Sequence, residues 1–84
     1  MTEFEKAHSG LSLLKQAILE HLTAHPEGLR NVEIAEALGL RSDFEGEQKD
    51  YLSWSLIGLL VNEGKVLYRK VGQARKYFAQ GEST

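Results

Sequence analysis

Apolar residues recur with a helical period at the start of the chain and crowd into β-favouring runs near its end. Leu11, Leu14, Ile18 and Leu22 are spaced by three, four and four positions. That spacing makes one face of a helix over residues 11–24. Ala17 and Leu13 lie beside the stripe, and Lys15, Gln16, Glu20 and Thr23 fill the polar side. Pro26 ends the helix, because its ring disfavours helical angles at His25. Ahead of it, residues 1–10 are expected to be flexible or to add one turn capped by Thr2 and Glu5, with Ser9 and Gly10 as a break. Leu29 reads as a buried residue in a stub of strand. The run "VEIAEAL" then predicts a second helix with Ile34, Ala35 and Leu38 inward and Glu33 and Glu36 outward. Asn31 is its expected N-cap, and Gly39 is placed to end it in a left-handed conformation.

Residues 40–46 are turn-rich and acidic. They lead into a third helix expected over residues 47–63 and closed by Gly64. At about 100° per residue, Leu52, Leu56, Leu59 and Leu60 form one stripe, with Ile57 at its edge and Ser53 on the inner side. Trp54 and Val61 fall nearly opposite, with Tyr51 and Gly58 beside them. A helix apolar nearly all round is usually covered on more than one side. "KVLYRK" and "ARKYFAQ" then predict two strands around Val71, Gly72 and Gln73. Residues 80–84 read as a flexible tail, which leaves one folded domain over residues 11–79.

Three segments resemble the winged helix-turn-helix family. "NVEIAEALGL" resembles its second helix and turn. "LIGLLVNEGKV" resembles the end of its third helix leading into the first wing strand, and "LYRKVGQARKYF" resembles its wing. Together they span most of the chain. The segment "LGLRSDFEGEQKDYLSWS" has a looser similarity to winged-helix units carried by prokaryotic restriction and other defence proteins. The resemblance implies a mainly α member of the α+β class: three helices followed by a two-stranded β-hairpin wing, with a lengthened turn before the third helix. It also implies binding to double-stranded DNA, with the third helix in the major groove and the wing on the backbone or in the minor groove. Expected roles are those of a transcription regulator or the DNA-recognition part of a larger prokaryotic machine, working as a homodimer or beside a larger protein partner.

Charge adds a second argument. Of the ten Lys and Arg and twelve Asp and Glu, residues 1–64 hold five cations and eleven acids, while residues 65–84 hold five cations and one acid. The body is therefore net −6 and the C-terminal hairpin net +4, within an overall −2. A basic stripe on an acidic body steers one surface toward phosphate, although edge strands also carry Lys and Arg against aggregation. Arg69, Lys70, Arg75 and Lys76 are the expected phosphate contacts. Gln48, Lys49, Tyr51 and Ser55 are the expected contacts from the third helix. Arg30 and Asn31, at the start of the second helix, complete the DNA-binding set.

Two features pull the other way. The insertion before the third helix carries Asp43, Glu45, Glu47 and Asp50, either to complement that helix's positive end or to repel DNA and dock a partner. Trp54 has three readings: packed under the long turn against Phe44, anchoring a protein–protein face with Tyr51 and Gly58, or touching DNA. The alternative function is thus a protein-interaction module that uses the Tyr51/Trp54 face or the acidic turn.

Catalysis has little footing. There is no cysteine, and His21 and His25, four apart, lack the further ligands that zinc needs; with His8 they read as solvated. No phosphate loop, dinucleotide fingerprint or nucleophile elbow occurs. The chain is expected not to be an enzyme, to hold no metal or cofactor, and to offer no evident small-molecule site. No apolar run reaches the roughly 20 residues of a membrane span, so a cytoplasmic protein without membrane contact is expected.

Overall fold

A computed structural model describes residues 2–41, 43–44, 47–48 and 50–80. Its elements run α1 (Glu3–Thr23), β1 (Leu29–Arg30), α2 (Asn31–Ala37), β2 (Asp43–Phe44), β3 (Glu47–Gln48), α3 (Tyr51–Asn62), β4 (Val66–Val71) and β5 (Ala74–Ala79).

The expected plan, three helices followed by a two-stranded hairpin, is overturned. The stub at Leu29 is a true strand. It pairs antiparallel with β5, Leu29 opposite Tyr77 and Arg30 opposite Lys76, so the sheet has three strands in the order β1-β5-β4. The physical reason is burial: Leu29 enters the core, and its backbone polar groups then need partners that β5 supplies. The long connection between α2 and α3 carries a second ladder, β2 with β3, which pairs Asp43 with Gln48 and Phe44 with Glu47.

Helix limits differ from expectation too. α1 is one continuous helix from Glu3, running through Ser9 and Gly10 without a break. Its start is fixed by a capping box: the Thr2 hydroxyl accepts from the Glu5 amide at 3.1 Å, and the Glu5 carboxylate accepts from the Thr2 amide. α2 begins one residue earlier than expected. Arg30 occupies the N-cap position, and its amide donates to Glu33 Oε1 at 2.7 Å. α3 begins at Tyr51, so Asp43 and Glu47 lie in the β2–β3 ladder and not in its first turn.

Every large element reaches one core. Ile18 and Leu22 enter from α1, Ile34 from α2, and Leu56, Ile57 and Leu60 from α3. Leu29, Val66 and Tyr77 enter from the sheet. The buried stripe of α3 is Ser53, Leu56, Ile57 and Leu60. Leu52 and Leu59, expected inside, are 47% and 40% exposed. The helix is rotated by a polar joint. Asp50, buried and left-handed at φ 54°, accepts a hydrogen bond from Arg41 Nε at 2.9 Å. Its carbonyl accepts from Asn31 Nδ2 at 3.3 Å, and the Ser53 hydroxyl donates to Asn31 Oδ1 at 2.6 Å. A hydroxyl buried without a partner costs about 1–3 kcal/mol, so this bonding draws Ser53 inward in place of Leu52. At the far end, Lys15 of α1 pairs with Glu63 just past α3.

Two glycines make opposite predictions. Gly28 has φ +89°, and a Cβ there would meet the Phe78 ring at 2.5 Å. Gly28→Ala is expected to cost about 1–3 kcal/mol through strain and overpacking. Gly10 sits inside α1 with nothing within 4 Å of an added Cβ, so Gly10→Ala is expected to stabilise by up to about 1 kcal/mol. Urea midpoints of the two variants would check both signs.

Candidate nucleic-acid interface

The hairpin joins Val71 to Ala74 across a two-residue turn, so the pairing register of its cations is fixed. Arg69 faces Lys76, and Lys70 faces Arg75. Through β1, Arg30 also faces Lys76. Strand alternation divides these groups. Lys70 and Arg75 share the sheet face of Val66, Tyr68 and Tyr77, whereas Arg69, Lys76 and Arg30 form a row across three strands on the other face. The four hairpin cations are thus two pairs on opposite faces, not one clamp.

Like charges directly opposite each other destabilise a sheet. Among the described residues, none of Arg69, Lys70, Arg75 and Lys76 has a carboxylate at salt-bridge distance. Aromatic rings steady the two arginines instead: Arg75 lies 4.5 Å from the Tyr68 ring centre and Arg69 5.5 Å from that of Phe78. Tyr68, itself half exposed, was not singled out from sequence. It becomes visible only when the register sets Lys70–Arg75 beside Tyr68–Tyr77 on one face.

The outward face of α3 presents Tyr51, Ser55 and Gly58, all exposed, with Trp54 on one flank and Leu52 and Leu59 on the other. From Tyr51 to Asn62 the helix has no charged side chain. Trp54 is 55% exposed, which overturns the reading of it as a buried lid. It borders an open groove of about 460 Å³ whose other walls are Arg30, Asn31 and Val32 of β1 and α2, Asp50, and Ala74, Arg75 and Tyr77 of β5. The groove thus brings together Arg30, Arg75 and Trp54, which lie far apart in sequence.

Other expected contacts fare differently. Asn31 is not available as a DNA contact through its side chain, because its amide group is bonded to Asp50 and Ser53. At the start of α2 the Arg30 amide donates to Glu33 Oε1. Gln48 lies in β3 and not on α3. Lys49, the Gln48 side chain and the packing of Phe44 lie outside the described residues. His21 and His25 are half buried rather than solvated, their rings 4.5 Å apart, and His25 Nδ1 lies 2.9 Å from the His21 carbonyl. Among the described residues, no group of three His, Cys, Asp or Glu could hold a metal ion, and no helix is long and apolar enough to cross a membrane.

Compared with protein-family models, curated proteins and solved structures, the chain matches none of them.

Glu33 carries a pH signature of this region. The Arg30 amide, then the Arg30 charge and the nearby Lys76, hold its carboxyl below the usual carboxylate range against a smaller opposing effect of burial. A depressed folded-state value stabilises the fold above the unfolded value, about 4.3. That contribution is lost as pH falls through the lower folded value. The stability gap between wild type and Glu33→Gln should therefore be widest near neutrality and close as pH falls below about 4. Denaturation midpoints across that range would read it; a gap that does not change with pH counts against the charge effect.

Proposed function

We propose that this chain binds double-stranded DNA, with the hairpin cations on the sugar-phosphate backbone and the Tyr51/Ser55 face of α3 toward the major groove. The observation that carries the reading is the cationic hairpin: two successive like-charged cross-strand pairs, with no carboxylate at salt-bridge distance among the described residues, on an otherwise acidic chain. A sheet gains nothing internally from that arrangement. A polyphosphate backbone gains counterion release from it. The hairpin lies beside the charge-free face of α3, so one element neutralises phosphate while the other is free to approach bases. The sequence resemblance to the winged helix-turn-helix family points the same way. In this reading the chain is a small cytoplasmic transcription regulator, or the DNA-recognition part of a larger prokaryotic machine, acting as a dimer or beside a partner.

A second reading has its own support. Tyr51, Trp54 and Gly58 form an exposed, uncharged strip of the kind that serves protein–protein contacts. It makes the chain an interaction module without DNA.

Titration of a duplex at 50 and 200 mM salt separates the two. Two phosphate contacts, the cation pair of one sheet face, predict that affinity falls by about tenfold between those conditions. Arg69→Ala with Arg75→Ala, one from each face, is expected to weaken binding and lower the salt slope by about 1, whichever face meets the backbone. Absence of binding at 50 mM salt would sink the DNA reading.

A further inference from the structure

We propose that Trp54 is a stacking platform for an unpaired nucleobase, so that the groove between α3 and the hairpin takes a single-stranded nucleotide adjoining a duplex. This rests on the DNA-binding reading and specifies which DNA the site prefers.

The groove's shape and chemistry carry the inference. The site is an open groove of about 460 Å³ rather than an enclosed pocket. Trp54 presents a large apolar ring at its edge, and Arg30 and Arg75 stand on the other walls. An aromatic face flanked by cations is the pattern with which proteins hold single-stranded nucleic acid: the ring stacks on a base and the cations follow its phosphates. The charge also selects the occupant. Arg30 pairs with Glu33, Nε to Oε1 at 3.5 Å; Arg75 has no carboxylate partner among the described residues, and Lys70 stands opposite it, so the anionic chain fits on the Arg75 side.

A continuous duplex satisfies this groove poorly. Its base faces are stacked on one another, and what it shows in the grooves is hydrogen-bonding edges. Indole has one donor, no acceptor and a broad π-face. Of the groove's polar groups, Asn31 is engaged with Asp50 and Ser53, and the Asp50 carboxylate with Arg41. Stacking on the ring itself tolerates any base, because every base has a π-face. Nor does the fold call for the ring, since Trp54 lies outside the buried core.

Trp54 is the single tryptophan of the chain, so its emission reports the site directly. The test titrates the full chain at 50 mM salt with a blunt duplex, and with the same duplex bearing a short single-stranded overhang. Stacking predicts that the overhang quenches Trp54 emission and binds about tenfold tighter than the blunt end. Trp54→Ala should bind the two duplexes alike, and Trp54→Phe should restore part of the preference. Equal affinity and equal quenching for both duplexes would overturn the stacking role while leaving duplex binding intact. Binding to neither duplex would remove the DNA reading and this inference with it. A wild-type dimer that becomes monomeric in Trp54→Ala, with no overhang preference in either, would assign the ring to a protein interface and overturn the proposal.

Discussion

Leu29 pairs with Tyr77 and Arg30 with Lys76, and these two register positions hold the hairpin to the helices. A lone two-stranded hairpin is marginal in water. β1 supplies a third strand while its own Leu29 joins Ile18, Leu22 and Ile34 in the core. The same strand runs directly into α2, so the start of α2 is carried along the edge of β5. Gly28 lets the chain enter this pairing, because only a residue without a side chain passes the Phe78 ring so closely at positive φ. The groove beside Trp54 exists because β1 brings Arg30 up to β5.

The second constraint is the polar joint around Asp50. Its backbone carbonyl ties the start of α3 to Asn31, and its carboxylate ties it to Arg41. The left-handed backbone at a buried non-glycine residue costs energy that the surrounding bonds must offset. Rotation of α3 follows from it. With Ser53 drawn inward, Leu56, Ile57 and Leu60 fill the core while Tyr51, Ser55 and Gly58 turn outward. The same rotation leaves Leu52 and Leu59 partly in solvent, so the helix presents apolar surface on both flanks.

Much of the architecture was legible where a pattern repeats. The spacing of Leu11, Leu14, Ile18 and Leu22 located the body of α1, and the β-favouring runs around Gly72 located β4 and β5. What escaped has no periodicity to read. A two-residue strand such as β1 is too short to show alternation; its existence is decided by what Leu29 meets across the fold. The leucine stripe of α3 predicts Leu52 and Leu59 inside with Ser53 on its inner side; Ser53 is buried and bonded to Asn31, whereas the two leucines are partly exposed, because a hydrogen bond to a distant residue sets the phase. Asn31 was read as a cap and a DNA contact, yet its role is set by residues 50 and 53, nineteen and more positions away. At the candidate interface, the cations were plain in sequence, but their division between two sheet faces required the register.

The surface that results separates charge from contact. Cations crowd onto the hairpin, where strand pairing holds them close; aromatic rings beside Arg69 and Arg75 and the Glu33 carboxylate near Lys76 offset part of their repulsion. α3 beside them has an outward face with no charge. Had the helix carried the cations, phosphate attraction and base contact would compete for the same side chains. On the proposed DNA reading, cations on the hairpin would draw a polyanion to the sheet by long-range attraction and leave short-range contact to Tyr51, Ser55 and Trp54. Such contact is strong only where water leaves a flat apolar surface. Of the three, only Trp54 combines a large ring with a groove beside it, so on that reading the strongest short-range contact would fall where the two kinds of surface meet.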